Sequence, residues 1–147
     1  MTHQYVFHSE WRLAAAPDVV YSTLRDLENY PSWWSQVRAV QQMSEAVGEV
    51  RCRSLLPYDL VFVVTREIED PVARVLQARQ TGDLEGTTRW VIRPDGTAVF
   101  DEDVVVRKPL LRAAGRIARP LMRFNHHLMM REGERGLRRH LQRGEHG

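Results

Sequence analysis

The chain has little cysteine, little lysine and no long apolar run: one Cys and one Lys occur in 147 residues. Cys52 alone cannot form an internal disulfide, which fits a reducing compartment. The longest apolar run, Leu60 to Val64, is far shorter than the roughly 20 residues that span a membrane. Residues Met1 to Tyr5 have neither the basic region nor the apolar core of a signal peptide. These absences predict a cytoplasmic protein without integral membrane contact.

Basic residues are concentrated late in the chain, where Arg107 to Arg143 holds eleven basic residues and two acidic ones. Such a stretch is either an electrostatic footprint for nucleic acid or an acidic membrane, or a solvated helical face. A platform that binds single-stranded nucleic acid requires aromatic residues among the basic ones. The stretch from Arg131 to Arg143 has none. No nucleic-acid-binding module is recognisable either. We therefore expect a solvated face and no nucleic-acid partner.

Length and composition predict one domain, residues 1–147. The apolar content of 43% is enough for a core, and a chain of this size buries roughly 70% of its unfolded surface. No low-complexity linker or internal repeat divides it.

Alternation of apolar and polar residues predicts seven strands. The segment from Tyr5 to Leu13 has one apolar face and one polar face. Turn residues such as Pro94-Asp95-Gly96 separate the later strands. The six later strands are predicted at Val37 to Ser44, Val50 to Leu56, Tyr58 to Glu69, Arg74 to Thr81, Glu85 to Arg93 and Thr97 to Arg107. Their short, even spacing favours an antiparallel meander.

Helical spacing predicts three helices. The first begins with Pro17 and ends at Leu27, and a very short one follows around Ser32 to Gln36. The third runs from Leu110 to Arg143, with a kink or break near Pro120. From Leu121 to Met130 it is apolar nearly all round, which predicts burial on two sides. One side would face the sheet, and the other the short helices or a partner, so that a homodimer is left open.

Three aromatic residues, Tyr30, Trp33 and Trp34, crowd around Pro31 between the first helix and the second strand. Aromatic side chains bury more apolar area than a turn needs, so the segment is expected to form one wall of an internal pocket. Tyr30 and Trp34 are predicted to line that pocket, and Trp33 to cap the core. Trp90 fits a core position and a pocket wall equally well.

The strand around Phe62 is predicted to carry an arginine into the pocket. One face of this strand carries Leu60, Phe62, Val64, Arg66 and Ile68. The opposite face carries Glu67 and Glu69, which indicates that it is exposed to solvent. A guanidinium among apolar residues costs several kcal/mol unless it is partnered. Arg66 is therefore expected to bind an anionic or enolic ligand group, to lie at the pocket mouth, or to pair with an acid such as Glu102.

His126-His127 does not predict a metal site. The chain has no HExxH motif and no paired cysteines, and adjacent helical residues point about 100° apart. We expect instead a helical histidine that hydrogen-bonds to a neighbouring residue. Asn125 and His126 could still place one polar group in the pocket. Met122, Met129 and Met130 would supply an adaptable apolar surface.

The order of elements, strand, helix pair, six strands and long helix, resembles the START-like or SRPBCC superfamily. Its polyketide cyclase/dehydrase and lipid-transport branch is similar in four segments: Asp26 to Trp34, Gly82 to Gly86, Trp90 and Asn125 to Arg131. The resemblance implies an α+β helix-grip fold, in which a curved, seven-stranded antiparallel sheet wraps around a long helix and encloses a cavity.

The same resemblance implies binding or transport of a small hydrophobic or aromatic molecule such as a lipid, polyketide or isoprenoid, without a cofactor. The alternative it implies is a polyketide aromatase/cyclase or dehydratase in which Arg66 polarises a carbonyl. The chain lacks the tryptophans which that branch carries near Leu60 and Phe62, and no proton shuttle is evident on the inward strand faces. The predicted ligand-binding residues are Tyr30, Trp34, Leu60, Phe62, Arg66, Trp90, Asn125 and Met129.

Overall fold

The computed structural model describes residues 4–54, 59–109 and 115–146. The strands are β1 (Gln4–Trp11), β2 (Val37–Ser44), β3 (Val47–Cys52), β4 (Leu60–Asp70), β5 (Val75–Gly82), β6 (Leu84–Ile92) and β7 (Ala98–Val106). The helices are α1 (Pro17–Arg25), a 3₁₀ helix (Leu27–Ser32), a 3₁₀ turn (Gly115–Ile117) and α2 (Ala118–His146).

All seven strands form one antiparallel sheet in the order β1-β7-β6-β5-β4-β3-β2. Strands β2 to β7 are a meander, and β1 pairs with β7 from Gln4↔Val105 to Trp11↔Ala98. The sheet stays open, since β1 and β2 are its two edges. The predicted helix-grip architecture is confirmed.

The short helix after α1 lies earlier than predicted. It covers Leu27–Ser32, not Ser32 to Gln36. The amides of Trp33 and Trp34 both donate to the Tyr30 carbonyl, at 3.1 and 2.8 Å, and this turn ends the helix. The prediction was wrong because a short 3₁₀ helix tolerates Pro31, since it has no long series of backbone hydrogen bonds for the proline to interrupt.

Pro120 marks the start of α2, as its missing amide requires. The helix begins at Ala118, so Pro120 lies in the first turn, where an N–H would have no helical partner. The predicted start at Leu110 lies outside the described residues, as do the strand ends predicted at Leu56 and Tyr58.

Of the two buried sides expected for α2, the described part of the chain shows one. Met122 and Met130 are buried, but Phe124 is 52% exposed. The helix therefore presents one apolar face to the sheet, and the described short helices pack near its later turns and leave Phe124 uncovered. Burial of the second side by a partner stays a prediction.

A tryptophan cluster joins α2 to the aromatic segment. Trp11 is 2% exposed, and its ring meets Trp33 and Trp34 edge to face, at centroid distances of 6.2 and 5.3 Å. Gly133 and Gly136 let the helix backbone approach, because a Cβ at Gly136 would lie 1.8 Å from the Trp33 carbonyl oxygen. Trp33 is thus a core residue at the end of the cavity described next.

Candidate ligand-binding cavity

A cavity of about 750 Å³ lies between the concave face of the sheet and α2. This volume is within the usual range of small-molecule sites, about 300–1,000 Å³. Every strand contributes to the wall, together with α1, the 3₁₀ helix and α2. All eight residues predicted to bind a ligand line it: Tyr30, Trp34, Leu60, Phe62, Arg66, Trp90, Asn125 and Met129. Their contact with a ligand stays a prediction.

Hydrogen bonds fix the aromatic wall. The Tyr30 hydroxyl donates to the Leu24 carbonyl at 2.5 Å. Trp34 Nε1 donates to the Met129 carbonyl at 2.9 Å. Burial raises the pKa of Tyr30, so its hydroxyl stays neutral. These rings are held in place before any ligand enters.

Charged residues surround the cavity mouth. Arg25, Asp26 and Glu28 belong to the lining and are exposed. Arg66 is there as well: its Nη1 lies 3.1 Å from Glu69 Oε2, and its Nη2 donates to the Arg25 carbonyl at 2.7 Å. Arg25 also pairs with Glu69. The structure therefore brings Arg66 to the mouth, one of the three expected positions.

A β-bulge in β4 supplies the partner of Arg66. Arg66 pairs with Ala78, but the register then shifts, and Glu69 comes opposite Leu76 on the inner face. An extra residue reverses the inside and outside of all that follow it. The prediction that Ile68 points inward and Glu69 outward was wrong for this reason, and Ile68 is 37% exposed.

Glu102 is paired with His126, not with Arg66. His126 Nε2 lies 3.1 Å from Glu102 Oε1, and the two side chains are only 17% and 7% exposed. Strands β4 and β7 are three steps apart, roughly 14 Å along the sheet, which keeps Arg66 and Glu102 separate. The imidazole also stacks on Phe7, with ring centroids 3.7 Å apart. The cavity wall thus holds a titratable pair that sequence reasoning did not assemble.

Gln80 is the second polar group that sequence reasoning missed. It lines the cavity and is 6% exposed, and its Oε1 has no hydrogen-bond partner among the described residues. Its alternation with Leu76 and Ala78 along β5 was the available signal. A glutamine that shares the inward face of a strand with apolar residues is a candidate polar group of a pocket.

Cys52 lies in the wall as an inert thiol. Burial raises its pKa to about 12, and only the thiolate is nucleophilic. We expect the folded protein to react with a disulfide reagent at pH 8 at least about a hundredfold more slowly than the chain unfolded in guanidinium. A colorimetric thiol assay measures both rates, and equal rates would contradict the placement of Cys52.

The described residues contain no group of three His, Cys, Asp or Glu side chains suited to a metal ion. Within the same ranges, no helix has both the length and the apolar character needed to cross a bilayer.

Comparison with known proteins identifies the family. The model of the polyketide cyclase/dehydrase and lipid transport family matches residues 6–142, and the chain therefore belongs to that family. No curated protein sequence matches it.

Three solved structures illustrate the shared fold. The Zhui aromatase/cyclase from Streptomyces sp. R1128 is 18% identical, with 96% of this chain and 95% of that chain covered and a TM-score of 0.79. A START superfamily protein from Mycobacterium smegmatis is 13% identical, with 96% and 98% covered and a TM-score of 0.68. A point mutant of norcoclaurine synthase from Thalictrum flavum, solved with a transition-state analogue, is 13% identical, with 94% and 96% covered and a TM-score of 0.63. At these identities the likeness establishes the fold.

Proposed function

We propose that this protein binds and carries a small hydrophobic or aromatic molecule, such as a lipid, a polyketide or an isoprenoid, inside the sheet–helix cavity. The observation that carries the proposal is the hollow of about 750 Å³ with aromatic walls. An apolar hollow left empty weakens a fold, whereas an apolar guest gains about 25 cal/mol per Å² of buried surface.

The wall supplies affinity and the polar groups supply selection. Trp34 and Trp90 present fixed aromatic surfaces, and Leu60 and Phe62 present aliphatic and aromatic surface from β4. Because Tyr30 already uses its hydroxyl on Leu24, its ring can pack against a guest without leaving an unmet donor. Arg66, which lies at the mouth beside Glu69, would select among guests by their charge.

Calorimetric titration of the purified protein with 2-methylnaphthalene tests this proposal. We expect saturable binding of one molecule per chain, with a negative heat-capacity change that reports apolar burial. The absence of saturable binding to this probe, to 2-naphthol and to a C12 fatty alcohol would overturn the proposal.

A second candidate function is an aromatase/cyclase or dehydratase acting on a polyketide. The family includes such enzymes by its description, and the buried Glu102–His126 pair supports this candidate because an acid and a base in contact can move a proton. In this scheme Arg66 would polarise a carbonyl near the mouth, after exchanging its contact with Glu69 for the substrate.

Substitution of Arg66 separates the two candidates. In a carrier, Arg66→Ala and Arg66→Lys leave the affinity for neutral 2-methylnaphthalene within about twofold, since apolar burial dominates. In a cyclase, both variants bind a polyketide but lose turnover by about a hundredfold or more. Arg79→Ala, on the outer face beside Glu67, is the matched control and should change neither quantity. A large loss of affinity for the neutral probe in Arg66→Lys would contradict the carrier assignment.

A further inference from the structure

We propose that the ligand carries a hydroxyl group, and that a polar subsite formed by Gln80 and the Glu102–His126 pair holds it. This inference rests on the proposed function and narrows its ligand class to apolar molecules with an alcohol or phenol.

Gln80 provides the first observation. Its side chain is more than nine-tenths buried, lines the cavity, and has an Oε1 that no described residue satisfies. Buried polar atoms are almost always hydrogen-bonded in native proteins. The last torsion of glutamine is broad and two-fold, so the amide can turn its oxygen toward a donor in the cavity. An acceptor without a partner in a pocket wall favours a ligand that carries a hydrogen-bond donor.

The Glu102–His126 pair provides the second observation. Glu102 is 7% exposed, and His126 Nε2 lies 3.1 Å from its Oε1. Phe7 stacked on the imidazole keeps His126 in this orientation. A buried carboxylate stays charged at low cost only when donors surround it. A ligand hydroxyl that donates to the carboxylate would supply one more.

The sheet places both acceptors, Gln80 and Glu102, on its inner face in the cavity lining. Gln80 pairs with Gly86, while Glu102 pairs with Thr88, the next inward position of β6. Two strand steps and two residues separate Gln80 from Glu102, roughly 12 Å between their Cα atoms. Gly86 and Thr88 lie on β6 between the two acceptors, and Thr88 lines the cavity together with them. A ligand ring beside Thr88 can therefore offer its hydroxyl to either acceptor.

Acceptors on both sides favour a donor, and the rings around them favour an aromatic one. A neutral hydroxyl is favoured over an ammonium group because burial costs the ammonium far more hydration. Phe7 and Phe100 flank His126, with the Phe100 ring 6.5 Å from the imidazole. A phenol combines a ring for these aromatic faces with a single O–H for the acceptors.

A matched pair of probes tests the inference by calorimetry. 2-Naphthol and 2-methylnaphthalene have nearly the same shape and differ in a hydroxyl against a methyl group. We expect the wild-type protein to bind 2-naphthol about tenfold more tightly, or better, because one buried acceptor is then satisfied. A 2-naphthylmethylammonium probe should bind more weakly than 2-naphthol.

Three variants locate the preference. Gln80→Met and Glu102→Met each remove an acceptor and keep side-chain length, and we expect the preference for 2-naphthol to fall to about threefold or less in at least one of them, and to vanish in the double variant. Gln41→Met and Glu49→Met make the same chemical changes away from the cavity lining and should leave the preference unchanged. Thermal unfolding of each variant shows that it is folded before its affinity is interpreted.

The outcomes distinguish this inference from the function on which it rests. If the wild type binds both probes equally, or if the folded double variant keeps the preference, the polar subsite is overturned and the apolar site stands. Tighter binding of the ammonium probe overturns the hydroxyl assignment. If no probe binds, the proposed function itself fails.

Discussion

Replacing Ala78 by phenylalanine is expected to weaken binding of both naphthalene probes by about tenfold or more while the protein stays folded. Ala78 lies on the inner face of β5, paired with Arg66 on β4 and Thr88 on β6, and it belongs to the cavity lining. A benzyl group there would project into the cavity beside Arg66 and take space and wall contacts from a guest. Because the ring enters the cavity, it displaces no core side chain, and calorimetry should record the loss of affinity.

Ala39→Phe is the matched control for this experiment. Ala39 is exposed on edge strand β2 and is not part of the cavity lining, so the same increase in size should leave the affinity within about twofold of wild type. Undiminished affinity in a folded Ala78→Phe variant would place the bound molecule somewhere other than this cavity.

Gly136→Ala is expected to give the largest loss of stability, about 3 kcal/mol or more. Its Cβ would lie 1.8 Å from the Trp33 carbonyl oxygen, so α2 must move away from the aromatic segment. That movement would separate Trp11, Trp33 and Trp34, whose contacts close one end of the sheet–helix core. Urea unfolding with an unchanged slope measures the loss directly.

Gly144→Ala is the control for the same change in the same helix. Nothing lies within 4 Å of a Cβ at Gly144, and alanine is the better helix former by about 1 kcal/mol. A neutral or slightly stabilising result is expected there. Equal, small effects at Gly136 and Gly144 would contradict the close approach of α2 to Trp33.

Periodicity was enough to predict most of the fold. Most strands follow a two-residue alternation that is visible in the sequence, and Pro17 and Pro120 stand where helices begin. The segment after α1 was placed wrongly, because a short 3₁₀ helix such as Leu27–Ser32 has no hydrophobic period of its own.

The cavity wall was predictable in its apolar part and poorly predictable in its polar part. The inward alternation of Leu60, Phe62 and Arg66 holds in the structure, but the bulge beyond Arg66 is invisible in residue types and exchanges Ile68 for Glu69. The Glu102–His126 contact joins β7 to α2, and no local pattern states which helix turn meets which strand. Polar pairs of this kind depend on tertiary packing.

Native mass spectrometry of the protein mixed with 2-naphthol reports whether the cavity between the sheet and α2 takes up a guest. Wild-type ions are expected to carry one probe molecule, and Ala78→Phe ions are expected to carry clearly less of it at the same probe concentration. Bare wild-type ions at saturating probe, or equal loading of the two proteins below saturation, would contradict a ligand-binding hollow between the sheet and α2.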